Sequence, residues 1–411
     1  MELLKVDTLE EAREKIKAAL SHFPMRTGKV PLLEAFGYTL SEDIYAPCPV
    51  PGFTRSTVDG YALRASDTSG AGESLPVFLH ITGEIEMGQE AGAALGPGEC
   101  VYVPTGGMVP EGADACVMIE YCEEFGGTQT AVYHAAAPWE NITRAGDDMQ
   151  GGERVLPRGT VLKAGQTGVL ASLGITEVPV YLPWTVTIVS TGDELVSPEK
   201  TPGPGQVRDI NTYGLYVLAE KLKLEIRNYK VIKDDKKLLL ETVNDAKENS
   251  DIVLISGGSS KGKKDASKEV IAEACSEGIL TYGLALKPGK PTILGFDMPA
   301  RTLVAGLPGH PAAAMLVFEL LIRWLWEEKT ECTLEKWVPA VLTANIPGAP
   351  GKSTCQLVRL IPDEEKKKYQ AVPVWGKSGL IHTLSSADGY IMIGENEEGL
   401  NKGALVKVSL L

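Results

Sequence analysis

TVTIVSTGDEL at 185–195, DIVLISGGSSKGKKD at 251–265 and TLVAGLPGHP at 302–311 share one layout. In each, a short run of β-branched and apolar residues ends abruptly in a loop of glycine, proline and charged residues. Stretches with helical spacing lie between them, among them TYGLYVLAEKL (212–222), KKLLLETVNDAKEN (236–249), SKEVIAEACSEG (267–278) and PAAAMLVFELLIRWLWEE (311–328). EIRNYKVI (225–232) and ILTYGLAL (279–286) read as further strands. Apolar strands alternating with helices predict a doubly wound, mostly parallel sheet over 181–330, covered on both faces. Four loops follow strands directly: STGDEL, the glycine loop, KPGKP (287–291) and GLPGHP. Ligands of open parallel sheets bind outside the carboxyl ends of the strands, so the four loops are expected to face one crevice.

Outward from this core the texture changes. Thr8 with Glu11 forms a capping box before an amphipathic helix whose apolar positions are Leu9, Ala12, Ile16, Ala19 and Leu20. Residues 45–140 hold short β-like runs broken by Gly and Pro, which predicts an inserted β-rich domain. Residues 1–44 and 141–180 are expected to form one discontinuous helical and mixed domain around that insertion. Residues 335–411 read as a C-terminal β-barrel or sandwich. The expected fold is therefore multidomain, α/β and β.

The chain has 411 residues, of which 40 are Lys or Arg and 54 Asp or Glu, giving a net charge of −14. That balance argues against nucleic acid or an anionic membrane as the main partner, so any anionic ligand needs a locally basic site. The seven cysteines, at 48, 100, 116, 122, 275, 332 and 355, form no C-x-x-C pair and read as reduced thiols. No run has signal-peptide or membrane-spanning character, and a reducing cytoplasm is the expected compartment.

The candidate site follows from the loops. Gly257, Gly258 and Gly262, with Ser259 and Ser260, suit a phosphate or another oxyanion, because a tight turn aims backbone amides at the ligand and the helix start adds partial positive charge. Lys261, Lys263, Lys264 and Lys268, with Lys287 and Lys290, supply a basic pocket. Asp193, Glu194, Asp234, Asp235 and Asp265 are the carboxylates that a Mg²⁺ site needs, since the hard ion takes oxygen ligands and bridges protein to phosphate. Helix capping accounts equally well for Asp234 and Asp235, and the same choice stays open for Asp209 and Asn211. Taken locally, FTRSTVDGYAL (53–63), with Ser56 and Asp59, and PTGGMVPEGADACVMIE (104–120), with Thr105, Gly106 and Gly107, are ordinary turns.

These segments, together with NITRAGDDMQGGE (141–153), GQVRDINTYGL (205–215) and SADGYIMI (386–393), run in the order found in the molybdopterin molybdenumtransferase family, the MoeA proteins and the gephyrin E domain, which the chain resembles over nearly its whole length. The resemblance implies a molybdopterin-binding α/β domain and a homodimer whose cleft is completed by the second subunit. It also implies Mg²⁺-dependent insertion of molybdate (or tungstate) into adenylated molybdopterin with release of AMP. An upstream adenylyltransferase and downstream molybdoenzymes are the implied partners. Motif positions carried over are Asp59, Thr105, Asp148, Glu194, Asp265, Lys287, Lys290, Arg359 and Ser378, joined by Ser190, Pro308 and Gly309 from the strand-end loops. Glu194, Asp265, Asp59 and Asp148 are the expected catalytic groups, and Glu194, Asp265 and Asp234 the expected metal ligands.

Three departures stand out: Lys261 and Lys263 where an apolar and an acidic residue are common, and His310 where Asn is usual. They motivate the alternative of a divergent member that binds molybdopterin, or handles tungsten, without standard turnover. Two readings from other classes are an adenylyltransferase, disfavoured by GGSS in place of a GGTG-type loop, and a scaffold, for which no partner motif or long linker speaks.

Overall fold

The computed structural model describes residues 6–257, 266–334, 336–364 and 367–411. Its centre is a six-stranded sheet built from β1 (Thr185–Thr191), β2 (Glu225–Ile232), β3 (Ile252–Gly257), β4 (Ile279–Tyr282), β5 (Ile293–Asp297) and β6 (Thr302–Leu307), in spatial order β2-β1-β3-β6-β5-β4. β2, β1, β3 and β6 are parallel, while β5 runs antiparallel to both β6 and β4. Alternation of side chains explains the continuous apolar runs. Val186, Ile188, Leu254 and Ala305 face one core, and Val189, Val253, Ile255 and Val304 face the other.

Helices α1 (Leu9–Ala19), α2 (Asn211–Lys221) and α5 (Pro311–Val317) cover the first face. α3 (Lys236–Lys247) and α4 (Ala266–Ala274) cover the second. α1 begins with the expected capping box between Thr8 and Glu11. Its buried residues Ala12 and Ile16 pack into the α/β core. The segments 141–180 pack instead on residues 30–46, through Leu40, Ile44, Met149, Leu162, Leu170 and Val178.

One strand departs from its reading. ILTYGLAL does not run on as a single strand: β4 ends at Tyr282, and Leu286–Lys287 pairs in parallel with a strand of the C-terminal part. PTILGFD, not singled out in the sequence, supplies β5. Backbone hydrogen bonds from Asp7 N to Gly283 O and from Ala285 N to Asp7 O break the run, a long-range pairing that local pattern does not encode.

The inserted part is a six-stranded sheet in which Gly60–Leu63 lies between Ala115–Met118 and Glu99–Val103. The chain enters and leaves it through paired antiparallel segments, Arg55–Ser56 with Ile142–Thr143. The C-terminal strands β7 (Trp337–Leu342), β8 (Ser353–Asp363), β9 (Lys368–Pro373), β10 (Gly389–Ile393) and β11 (Leu405–Leu410) close on themselves, β8 pairing with both β9 and β10, to form a five-stranded barrel around Ala340, Val358, Ala371, Ile391 and Val408.

Candidate functional site

From β1 the chain crosses to β2 on one side, and from β2 it crosses back to β3 on the other, so the connection direction reverses between β1 and β3. At such a switch point the two following loops part and leave a crevice. Thr191 and Gly257, the last residues of the two strands, sit in register there. Gly257 has φ +108°, and a Cβ on it would lie 2.1 Å from Thr191 O, so only glycine allows the strands to stay this close where the loop departs. Gly309, after β6, joins them: a Cβ there would be 3.9 Å from Gly257 Cα.

Asn211 ties these loops together. Its Nδ2 donates to Ser256 Oγ at 2.6 Å and to Gly309 O at 3.0 Å. Asp209 Oδ1 accepts from Thr212 N at 3.2 Å and from Ser190 Oγ at 3.4 Å, while Ser190 and Thr212 hydroxyls share a 2.8 Å bond. Ser190 is therefore only 1% exposed and committed to the start of α2. Asp209 Oδ2 and Asn211 Oδ1 are buried acceptors that no described donor meets, and a solvent or ligand N–H or O–H is what would satisfy them.

The carboxylates gather at the same edge. Thr191 Oγ1 donates to Asp234 Oδ1 at 2.7 Å, and Asp234 N reaches Asp193 Oδ1 at 3.4 Å. Glu194 folds its carboxylate over Gly192. Asp235 takes the capping role, accepting Leu238 N at 2.8 Å at the start of α3, whereas Asp234 caps nothing. Asp193, Glu194 and Asp234 are exposed, and none forms a salt bridge with a described cation. Among the described residues no three His, Cys, Asp or Glu side chains converge into a complete metal cage. Mg²⁺ commonly takes one or two carboxylates and completes its shell with water and substrate phosphate, so this exposed, uncompensated oxygen set fits the ion as a partial shell. Asp265, Gly258, Ser259, Ser260, Gly262 and the lysines at 261, 263 and 264 lie outside the described residues.

The remaining expected residues fall into two groups. Near the crevice, Pro308 is buried, and His310 Nδ1 meets Ser378 Oγ at 2.9 Å while Ala312 N donates to Ser378 O, so the loop after β6 holds the 376–386 segment. Lys287 and Lys290 are exposed on the connection from β4 to β5; Lys287 is drawn to the barrel by pairing with Thr354, so KPGKP does not leave the sheet as the other three loops do. Arg359 is exposed on β8, opposite Val372. The second group lies in the inserted part and its stem. Thr105 donates both N–H, at 2.7 Å, and hydroxyl, at 3.0 Å, to Asp59 Oδ1. These bonds, the backbone one foremost, hold Asp59 below the usual carboxylate range. Asp148 is exposed, with its N–H bound to Val50 O. Among the described residues no hydrogen bond or salt bridge joins Asp59, Thr105 or Asp148 to the α/β crevice.

Buried thiols offer no nucleophile. Burial pushes Cys116 up to about 11 and Cys100, Cys122 and Cys275 up to about 12. The bridging role of Asn211 was not legible from sequence, where capping and metal binding both stayed open for it; its place as the first residue of α2 was the available signal.

Three family models match successive parts of the chain: the MoeA N-terminal region (domains I and II) at residues 7–174, a probable molybdopterin binding domain at 187–327, and the MoeA C-terminal region (domain IV) at 339–411. A putative molybdopterin biosynthesis protein of Methanocaldococcus jannaschii is 34% identical over 391 residues, 93% of this chain and 92% of that one. The molybdopterin molybdenumtransferase of Bacillus subtilis is 32% identical over 383 residues, 90% of this chain and 87% of its own length. The solved MoeA protein of Pyrococcus horikoshii superposes with a TM-score of 0.84 at 30% identity, covering 99% of this chain and 100% of that structure.

Proposed function

Since the chain belongs to the MoeA family, the molybdopterin molybdenumtransferases, and so to molybdenum-cofactor biosynthesis, we propose that it takes adenylated molybdopterin and molybdate, or tungstate, as substrates and releases AMP as the metal enters the dithiolene. The observation that carries this reading is the switch-point crevice, where Thr191, Gly257 and Gly309 meet beside Asp193, Glu194 and Asp234.

The chemistry asked of the protein is positioning. Pterin phosphate, nucleotide phosphate and molybdate are all anions that repel one another. Backbone amides of the glycine loop with Lys287 and Lys290 lower the cost of gathering them, and fixing them in one crevice replaces a many-body encounter. Asp209 Oδ2 and Asn211 Oδ1 suit N–H or O–H donors of the bound substrate. Glu194, Asp234 and Asp265 would hold Mg²⁺, which when bound offsets charge developing on the departing phosphate. No side-chain nucleophile is required, in keeping with the protonated, buried thiols.

Asp59, Thr105 and Asp148 complete the site from the second subunit of a homodimer in this reading, since within one chain no described bond joins them to the crevice. The four-part division, with 1–44 and 141–180 as one unit around the insertion, and a cytoplasmic setting belong to the same proposal. No described helix is long and apolar enough to cross a membrane. The test is AMP release by the Glu194→Gln and Lys287→Ala/Lys290→Ala variants. The carboxylate change is expected to lower turnover while substrate still binds, and the lysine change to weaken binding. Unchanged kinetics in both would refute the placement of the site.

A further inference from the structure

Phe23 to Arg26, the segment that follows α1, lies beside the amino ends of β1, β3 and β6 and lines one wall of a half-open cavity of about 790 Å³. Small-molecule sites run from roughly 300 to 1,000 Å³. The cavity lies at the opposite end of the sheet from the crevice. β1 alone runs from Thr185, on the cavity wall, to Thr191, at the crevice, a span of roughly 20 Å at the usual rise per residue. One small ligand cannot fill both.

Six Lys or Arg and three Asp or Glu side chains line the cavity, a local positive excess in a chain whose net charge is −14. Part of this charge is spent within the protein. Arg26 pairs with Asp251 at 2.6 Å, and the same Asp251 oxygen also accepts the N–H and hydroxyl of Thr185. Lys247 pairs with Asp297 at 3.3 Å. Arg227 pairs with Glu225 at 2.8 Å. Three other cations, Lys230, Lys329 and Arg301, have no carboxylate partner among the described residues, and the last two sit at Phe23. Lys329 Nζ donates to Leu20 O and Phe23 O, each at 2.9 Å, and burial draws its pKa below the usual lysine range. An ammonium carries three donors, and here two meet neutral carbonyls only. The Arg301 guanidinium lies 5.2 Å from the Phe23 ring centroid. A half-buried ammonium and a guanidinium held over a ring, both lacking a counter-ion and both on one residue, are what an anion's binding pocket presents. Trp184, braced edge-on by Trp326 with centroids 5.1 Å apart, gives the wall an apolar surface beside that charge.

We propose that this cavity binds a small phosphate ester, its phosphate held by Lys329 and Arg301 and its organic body against Phe23 and Trp184. Nucleotides and sugar phosphates share that chemistry. The site is independent of the insertion reaction: it uses none of the residues placed there.

Binding to the full-length chain is measured by calorimetry with ribose 5-phosphate, AMP and orthophosphate, in a Lys287→Ala/Lys290→Ala background that weakens the crevice. The esters are expected to bind one per chain and more tightly than orthophosphate. Arg301→Gln, an exposed position whose loss leaves the fold intact, is expected to weaken them about tenfold, the effect of one charge-assisted hydrogen bond. Lys329→Gln should do the same, with its melting temperature checked because it also releases two carbonyls. Tighter binding of AMP assigns the site to nucleotides and tighter binding of ribose 5-phosphate to sugar phosphates; either supports the proposal. Absence of saturable binding in the millimolar range, orthophosphate binding as tightly as the esters, or unchanged ester affinity in Arg301→Gln would overturn it.

Discussion

Gly257→Ala tests how the strand ends are held. The substitution puts a side chain at φ +108°, a region that costs a non-glycine residue on the order of 1–3 kcal/mol. It also drives a methyl to 2.1 Å from Thr191 O, a backbone atom of the adjacent strand that cannot swing aside. Forcing such a contact apart adds about 1–3 kcal/mol. Together the penalty is about 2–6 kcal/mol, and β3, buried on both faces, cannot shift to relieve it. If about 3 kcal/mol of that strain is relieved at the expense of the bound state, substrate affinity falls about 100-fold. The assay is calorimetric titration with adenylated molybdopterin, beside Gly278→Ala as control. Gly278 also has positive φ, +62°, but nothing lies within 4 Å of its Cβ position, and it precedes β4 at the other end of the sheet. The control is expected to bind normally. Normal affinity in Gly257→Ala, or equal loss in both variants, would refute the reasoning.

Asn211→Ala leaves Ser256 Oγ and Gly309 O without their shared donor and should cost about 1–3 kcal/mol, read as a lower melting temperature together with weaker substrate binding. Arg323 is 9% exposed and bridges Glu319 at 2.6 Å and Glu327 at 2.8 Å, so Arg323→Ala removes the main counter-charge of both carboxylates, leaving Glu319 only a 3.9 Å contact with Lys221, at a cost of about 3 kcal/mol; a thermal melt indistinguishable from the parent would count against it. Because the Asp59 pKa is depressed in the fold, its bonds to Thr105 stabilise above the unfolded-state value of ~4 and are lost as pH falls through the lower folded value. The Thr105 amide resonance should therefore shift on acid titration below ~pH 4, and Asp59→Asn should abolish that shift. Alkylation of the native chain should label the exposed Cys48 first, with the buried cysteines at 100, 116, 275, 332 and 355 protected until unfolding.

The strand-end loops were legible because period, length and glycine placement all pointed the same way in TVTIVSTGDEL and DIVLISGG. The capping box at Thr8 was written in local residue order for the same reason, whereas for Asp234 and Asp235 that order left capping and metal binding open and only the fold assigns the cap to Asp235. What local order could not carry was pairing between distant segments. ILTYGLAL has the composition of one strand, yet Asp7 and the barrel strand β8 divide it. Asn211 stayed open between capping and metal binding, and only the folded sheet brings Ser256 and Gly309 to its amide. The amino-end cavity was wholly hidden, because Phe23, Trp184, Arg301 and Lys329 are far apart in the chain and each is unremarkable where it stands. Asp59 and Thr105, by contrast, were singled out through resemblance, and their mutual hydrogen bonds supply a physical link that spacing did not.

The most direct test of the account is incubation of the purified protein with adenylated molybdopterin and Mg²⁺, with and without molybdate or tungstate, following AMP release and cofactor formation together. The account predicts AMP release that depends on the oxyanion and is lost in Glu194→Ala and Asp265→Ala while the pterin still binds. Tight pterin binding with no oxyanion-dependent AMP release would contradict it and assign the chain, with Lys261, Lys263 and His310 in its loops, to a binding role without insertion.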